Sequence, residues 1–280
     1  MMTGEKNVAE VITLFTPSEL VGLDLVGTTA VVIDALRGST TIIYALKNGA
    51  ARIIPANEIE DARAIANQWP TGEYVLCAER NGIKVTGFDL GNSPYEYTPE
   101  VVGGKEVIYS STNCSKALLA AYDAERVMIG AFNNISACVE AIGPLKRVVL
   151  LCAGKMGRFA LEDAVCAGMF VNEFLRNSKT EVALNDASRT AKILFDFYHR
   201  DILKLLKESS HGNYLLQMGQ GKDLDLIAAI DSERIVPELS LNKTHFFSTI
   251  IPKSNVGFEI DSLLTREAVF RSTEIETNAK

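Results

Sequence analysis

Residues 31–41 read Val31-Val-Ile-Asp34-Ala-Leu-Arg37-Gly-Ser-Thr-Thr41. An apolar run suited to a buried strand stops at Asp34. An Arg, a Gly and three hydroxyl residues follow, and the pattern then turns helical. A strand handed directly to a helix is the repeating unit of a layered α/β fold. The same order of groups also has a chemical meaning. A carboxylate can hold a divalent cation, while a guanidinium and the N–H groups of a Gly-Ser-Thr turn hold anionic oxygens. A strand followed by a capped helix has this layout too, so the segment alone leaves scaffold and phosphate site open.

The alternation continues outward. Apolar runs predict strands at 11–15, 29–33, 52–54, 74–78, 105–109, 126–129, 147–152 and 181–184. Helical periodicity predicts helices at 39–48, 59–67, 115–121, 135–142, 161–176, 186–208, 212–218 and 224–230. Residues 240–251 could add a strand, and the last dozen residues are expected to fray. No linker or composition shift marks a boundary, so residues 1–280 are expected to form a single domain.

The bulk numbers narrow the partners. With 47% hydrophobic and 22% charged residues the chain can build a full core. Its 28 basic and 35 acidic side chains, net charge −7, argue against a nucleic-acid surface. No apolar run approaches the roughly 20 residues of a membrane span. The opening Met-Met-Thr-Gly-Glu-Lys lacks a signal core, so a cytoplasmic location is expected. The five cysteines include no C-x-x-C pair, and Cys77, Cys138, Cys152 and Cys166 read as small core residues. His199, His211 and His245 have no partner at metal-ligand spacing and read as structural.

Asp34, Arg37, Ser39 and Thr40 do not stand alone. Residues 76–94 place Glu79-Arg80 directly after an apolar run, then close a tight turn with Asp89-Leu-Gly-Asn92-Ser93-Pro94. Residues 107–116 lead from a strand into Ser111, Thr112 and Asn113, and residues 149–163 run from a strand through Gly154, Lys155 and Arg158 to Glu162 and Asp163. In open α/β sheets the loops leaving the carboxyl ends of strands form the ligand crevice. Basic side chains gather in these loops beside acidic ones, which favours a small, multiply charged anion with a metal ion. Read singly, each loop is also an ordinary cap, turn or surface ion pair. The phosphate-loop, dinucleotide and serine-hydrolase motifs are all absent.

These segments, in this order, resemble the ComB family of Mg2+-dependent 2-phosphosulfolactate phosphatases. The resemblance rests on Val31–Thr41, Ala78-Glu-Arg80, Gly87-Phe-Asp-Leu-Gly-Asn-Ser-Pro94, Ser111-Thr-Asn113, Cys152-Ala-Gly154 and Gly157-Arg-Phe-Ala-Leu-Glu-Asp163. Ser210-His-Gly212, Asp223-Leu and Val236-Pro237 fit it as well. It implies three α/β/α layers around a mixed, largely parallel sheet. It also implies hydrolysis of 2-phospho-3-sulfolactate in the manner of coenzyme M biosynthesis. Under it, Asp34, Arg37, Glu79 and Arg80 are expected to be catalytic, with Mg2+ held by Asp34, Glu79, Asp163 or Glu162. Ser39, Thr40, Asn92, Ser93, Ser111, Thr112, Asn113, Gly154 and Arg158 are expected to bind the small anionic substrate.

Two departures bear on specificity. Cys114 stands where the family usually has Gly, which is unfavourable if the backbone there needs φ > 0. Lys155-Met156 interrupts a turn that the family builds from glycines. A phosphatase acting on another phosphorylated 2-hydroxy acid, or a non-catalytic binder of anionic metabolites, therefore stays open. So do a nucleophilic role for Asp34 and a homo-oligomeric state.

Overall fold

Alternate residues of the strand Thr29–Ile33 point to opposite sides of the sheet. Ala30 and Val32 join one apolar core, while Val31 and Ile33 join another. Both faces of this strand are buried, which is why it reads as a continuous apolar run rather than an alternating one. The computed structural model describes residues 8–241 and 268–273.

In chain order the elements begin β1 (Ala9–Leu14), β2 (Thr29–Ile33), α1 (Gly38–Lys47), β3 (Arg52–Pro55), α2 (Ile59–Ala66), β4 (Tyr74–Arg80) and β5 (Ile83–Lys84). There follow α3 (Pro99–Val102), β6 (Glu106–Ser110), α4 (Cys114–Ala120), β7 (Arg126–Gly130), α5 (Ile135–Ile142), β8 (Arg147–Cys152) and α6 (Leu161–Asn177). The chain continues through β9 (Val182–Leu184), α7 (Asp186–Tyr198), α8 (Ile202–Glu208), α9 (Ser210–Gln217), α10 (Lys222–Ile227), β10 (Val236–Leu241) and β11 (Ala268–Thr273).

The strands form one mixed sheet in the order β5-β4-β6-β3-β11-β10-β7-β2-β8-β1-β9. It contains two parallel blocks, β4-β6-β3 and β7-β2-β8-β1-β9. The antiparallel pair β10–β11 sits between them and touches each block at one register position, Glu238 opposite Met128 and Phe270 opposite Ile53. Helices α1 and α4 contribute to the core on one face. On the other, α5 and α6 cover the larger block, and α2 packs Ala62 and Ala66 on the smaller one. The result is the expected α/β fold of three layers. Helix α6 lies hard against α7 because Gly168 leaves no room for a side chain: a Cβ there would come within 2.0 Å of the Ala191 carbonyl oxygen.

Three expectations change. The helix expected over 186–208 breaks at His199–Asp201, where the Asp201 carboxylate accepts the Lys204 N–H and starts α8 anew. The end expected to fray contains β11 instead, while 274–280 lie outside the described residues. Of the strand expected at 240–251, Ser240 and Leu241 belong to β10 and the remainder lies outside the described residues. No helix among the described residues is long and apolar enough to cross a membrane.

Candidate active site

The carboxyl ends of β2, β4, β6 and β8 open into one crevice, with Asp34 aimed into it and the carboxylates of Asp163 and Glu79 stitching its walls together. Asp34 follows β2 and is 4% exposed. Its own N–H donates to Ser39 Oγ at 2.9 Å, and the Ser39 N–H donates back to the Asp34 carbonyl at 2.9 Å. This reciprocal pair sets the strand-to-helix turn and so aims the Asp34 side chain. Asp163, in the first turn of α6, accepts the Ala35 N–H at 2.8 Å on one oxygen and the Gly154 N–H at 3.0 Å on the other. It thereby ties the loop after β2 to the loop after β8. Glu79, at the end of β4, does the same for its neighbours: it accepts Thr112 N–H at 2.8 Å and Gly82 N–H at 2.7 Å.

The turn after β8 is tight for a physical reason. Gly154 has φ +66°, and a Cβ there would stand 2.5 Å from the Arg158 carbonyl oxygen. Lys155 and Arg158 pair their backbones across Met156 and Gly157, both at positive φ. Cys114 does not need the left-handed backbone considered from the sequence, since it is absent from the positive-φ residues and opens α4. Its side chain fills space beside Gly38, where a Cβ would meet Cys114 Cβ at 2.5 Å and Asp34 Oδ2 at 3.0 Å.

Electrostatics single out the acids. Burial pushes the Asp34 carboxyl well above its usual range. The charges of Glu79 and Glu162 push the same way, while the Gly38 N–H and Arg37 oppose them. Asp163 is raised by burial first, then by Asp34 and Glu162, against its two N–H bonds. Buried oxygen donors that repel one another fit a hard divalent cation. Among the described residues no three His, Cys, Asp or Glu side chains already form a metal-binding group. A divalent cation that keeps much of its water needs few protein ligands. Asp34 with Glu79 is the pair that would hold it.

A cavity of about 330 Å³ lies over Asp34. Of the residues singled out from the sequence, Asp34, Arg37, Glu79, Asn92, Thr112, Asn113 and Lys155 line it. The Tyr109 hydroxyl donates to Asn92 Oδ1 at 2.7 Å, and the Met156 N–H donates to Asn113 Oδ1 at 2.9 Å. Both amide oxygens are thus occupied, which leaves the Nδ2 groups as the donors available to a ligand. Thr112 Oγ1 is buried without a partner.

The other expected residues do not line this cavity. Ser39 holds the Asp34 turn, and Thr40 Oγ1 donates to Asn133 Oδ1 at 2.9 Å. Ser93 Oγ donates to Asp223 at 2.7 Å, while Ser111 exchanges hydrogen bonds with Ser115 at the start of α4. Arg80 turns to Ser110 and Glu58, Gly154 serves Asp163, and Arg158 is exposed. Glu162 and Asp163 stand behind the cavity wall. Arg37 lines the cavity, but its guanidinium donates to Asp223, Gln220 and the Gly82 carbonyl.

The far end of the sequence adds the rest of the wall. His211 and Tyr214 of α9 line the cavity, with His211 Nδ1 3.5 Å from Glu162 Oε1. His211, read from the sequence as structural, thus stands on the cavity wall. Asn81 and Gly82, in the β4–β5 turn, complete the rim, and Tyr214 donates to the Asn81 carbonyl at 3.0 Å. The string Ser210-His-Gly212 and Asp223 were the sequence signals available for this wall.

The chain is similar to known proteins along most of its length. A family profile described as 2-phosphosulpholactate phosphatase matches residues 14–242. A protein of Caldanaerobacter subterraneus, named a probable 2-phosphosulfolactate phosphatase, is 36% identical over 217 residues, 77% of this chain and 89% of its own. Proteins of the same name resemble it in two further organisms. That of Thermotoga petrophila is 37% identical over 75% of this chain and 88% of its own. That of Caldicellulosiruptor saccharolyticus is 38% identical over 70% and 82%.

Proposed function

The chain belongs to the 2-phosphosulfolactate phosphatase family, and from that membership we propose that it hydrolyses 2-phospho-3-sulfolactate to 3-sulfolactate and inorganic phosphate. The enzyme class is phosphoric monoester hydrolase. Asp34 and Glu79 would hold Mg2+, which would supply Lewis-acid polarisation of the phosphoryl group and a more acidic water. The reaction belongs to the type that supplies coenzyme M, in a cytoplasmic setting.

The observation that carries this reading is the group of buried acids, Asp34, Glu79, Glu162 and Asp163, beside a cavity rimmed by amide donors. A site for an anion alone gains nothing from buried carboxylates. Asn92 Nδ2 and Asn113 Nδ2, fixed by their occupied oxygens, orient the phosphoryl oxygens. Arg37, neutralised by Asp223, shapes the wall and keeps Gly82 in place. His211 carries the proton to the departing alkoxide oxygen, its Nδ1 side steadied by Glu162.

The test is phosphate release with and without Mg2+ from phosphosulfolactate, phospholactate and phosphoglycolate. Mg2+-dependent release with preference for the sulfonated ester is expected. A preference for the other esters would move the assignment to another phosphorylated 2-hydroxy acid. No release from any of them would leave an anion binder. Solvent oxygen-18 entering Asp34 in a single turnover would make Asp34 the nucleophile instead of a metal ligand.

A further inference from the structure

Two fixed cations line the cavity, Arg37 and Lys155, and only one of them is free to act on a ligand. The Arg37 guanidinium is 2% exposed and paired with Asp223 at 2.7 Å. Lys155 has no carboxylate partner among the described residues. Its ammonium rests over the Tyr214 ring, 5.2 Å from the centroid. A cation over an aromatic ring is held far less strongly than one paired with a carboxylate, so an anion in the cavity can displace it.

The backbone beneath Lys155 is rigid even though its side chain is not. Lys155 N–H donates to the Arg158 carbonyl at 2.8 Å and Arg158 N–H returns the bond at 3.0 Å. Met156 and Gly157, at φ 52° and 71°, close the two-residue turn between them, and Asn113 Oδ1 grips Met156 from the side. The base of the side chain is therefore pinned at the rim, while four methylenes let the ammonium sweep the cavity.

The charge balance calls for such a group. Asp34 and Glu79 face the cavity, and Arg37 is already neutralised. Even a bound divalent cation is matched by the phosphate ester alone. A further acid group on the substrate adds to the negative charge of Asp34 and Glu79, and Lys155 is the cavity-lining cation left to offset part of it.

We propose that Lys155 is the specificity-determining residue of this enzyme. It leaves the Tyr214 ring to bind the acid group carried beside the phosphate ester. The inference deepens the phosphatase reading above and rests on it for the identity of the ester.

The test compares wild type with Lys155→Met and Lys155→Arg on 2-phospho-3-sulfolactate, 2-phospholactate and ethyl phosphate. Loss of a charge-assisted hydrogen bond predicts a rise in KM of about tenfold or more for the acid-bearing esters in Lys155→Met. The expectation includes little change in kcat, no change for ethyl phosphate, and partial rescue by Lys155→Arg. An effect on phosphosulfolactate alone identifies the sulfonate as the partner, and an effect on both acids identifies the carboxylate. Equal losses on all three esters, or none on any, would overturn the proposal. Calorimetric binding of 3-sulfolactate separates the two readings. If no ester is hydrolysed yet 3-sulfolactate binds and weakens in Lys155→Met, the phosphatase assignment fails and Lys155 keeps its role. If binding is the same in both proteins, or absent from both, Lys155 loses that role.

Discussion

Arg37 and Asp223 are joined by a 2.7 Å ion pair with side chains 2% and 1% exposed. The pair brings the loop after the second strand against the last helix before the C-terminal hairpin. Asp223 also accepts the Ser93 hydroxyl at 2.7 Å, so one carboxylate serves two segments. Breaking a buried pair by removing one partner leaves an uncompensated charge, at a cost of about 3–5 kcal/mol. Asp223→Ala is expected to destabilise the fold by that amount in urea denaturation. A loss under about 1 kcal/mol would mean that solvent already reaches the guanidinium.

His211 tests the proton-transfer role. Removing a positioned general acid lowers rates by about 10²–10⁴-fold. His211→Gln is expected to depress kcat in that range on an alkyl ester. On an aryl ester, whose leaving group needs little protonation, the loss should be much smaller. An equal loss on both would assign His211 to structure instead.

The acid cluster makes stability depend on pH and Mg2+ together. Asp34 and Asp163 are raised in the folded state, so the fold binds their protons more tightly than the unfolded chain does. Their contribution is therefore fully present below the unfolded carboxyl values and is lost as pH rises through the folded ones. In chelator the melting temperature should fall across that rise. Mg2+ should restore it, with the largest shift at the alkaline end. Asp34→Asn should remove most of the pH slope and most of the Mg2+ effect. A melting temperature insensitive to Mg2+ at every pH would remove the metal from the site.

Gly38 and Cys114 form a size-matched pair. Gly38→Ala puts a methyl 2.5 Å from Cys114 Cβ, and overpacking of this kind costs about 1–3 kcal/mol. Adding Cys114→Gly should recover part of the loss. A double variant no more stable than Gly38→Ala would show that Asp34 Oδ2, 3.0 Å from the same position, is the contact that fails.

Much of the fold was legible because buried parallel strands leave unmistakable apolar runs. β2 and β8 have the bounds read from the sequence. The site was legible at the ends of those strands, where Asp34, Glu79, Asn92, Thr112 and Asn113 reach one cavity. The hydroxyls were harder. Ser39, Thr40, Ser93 and Ser111 stand in the right loops, but a hydroxyl serves a backbone N–H as readily as a ligand, and only tertiary contacts choose between them. Asp163 likewise caps two backbone N–H groups that no local pattern brings together. His211 and Tyr214 reach the cavity from α9, more than 170 residues after Asp34. Single-chain periodicity carries no such distance information.

The two parallel blocks of the sheet meet only through the hairpin pair β10–β11 among the described strands. Asp34 and Asp163 belong to one block, and Glu79, Thr112 and Asn113 to the other. The helices span the same divide, since Val32 and Ile129 of one block share an apolar core with Ile53 and Tyr109 of the other under α1 and α4. The cavity is therefore a seam, and its width is set by how those two helices pack rather than by any strand that lines it.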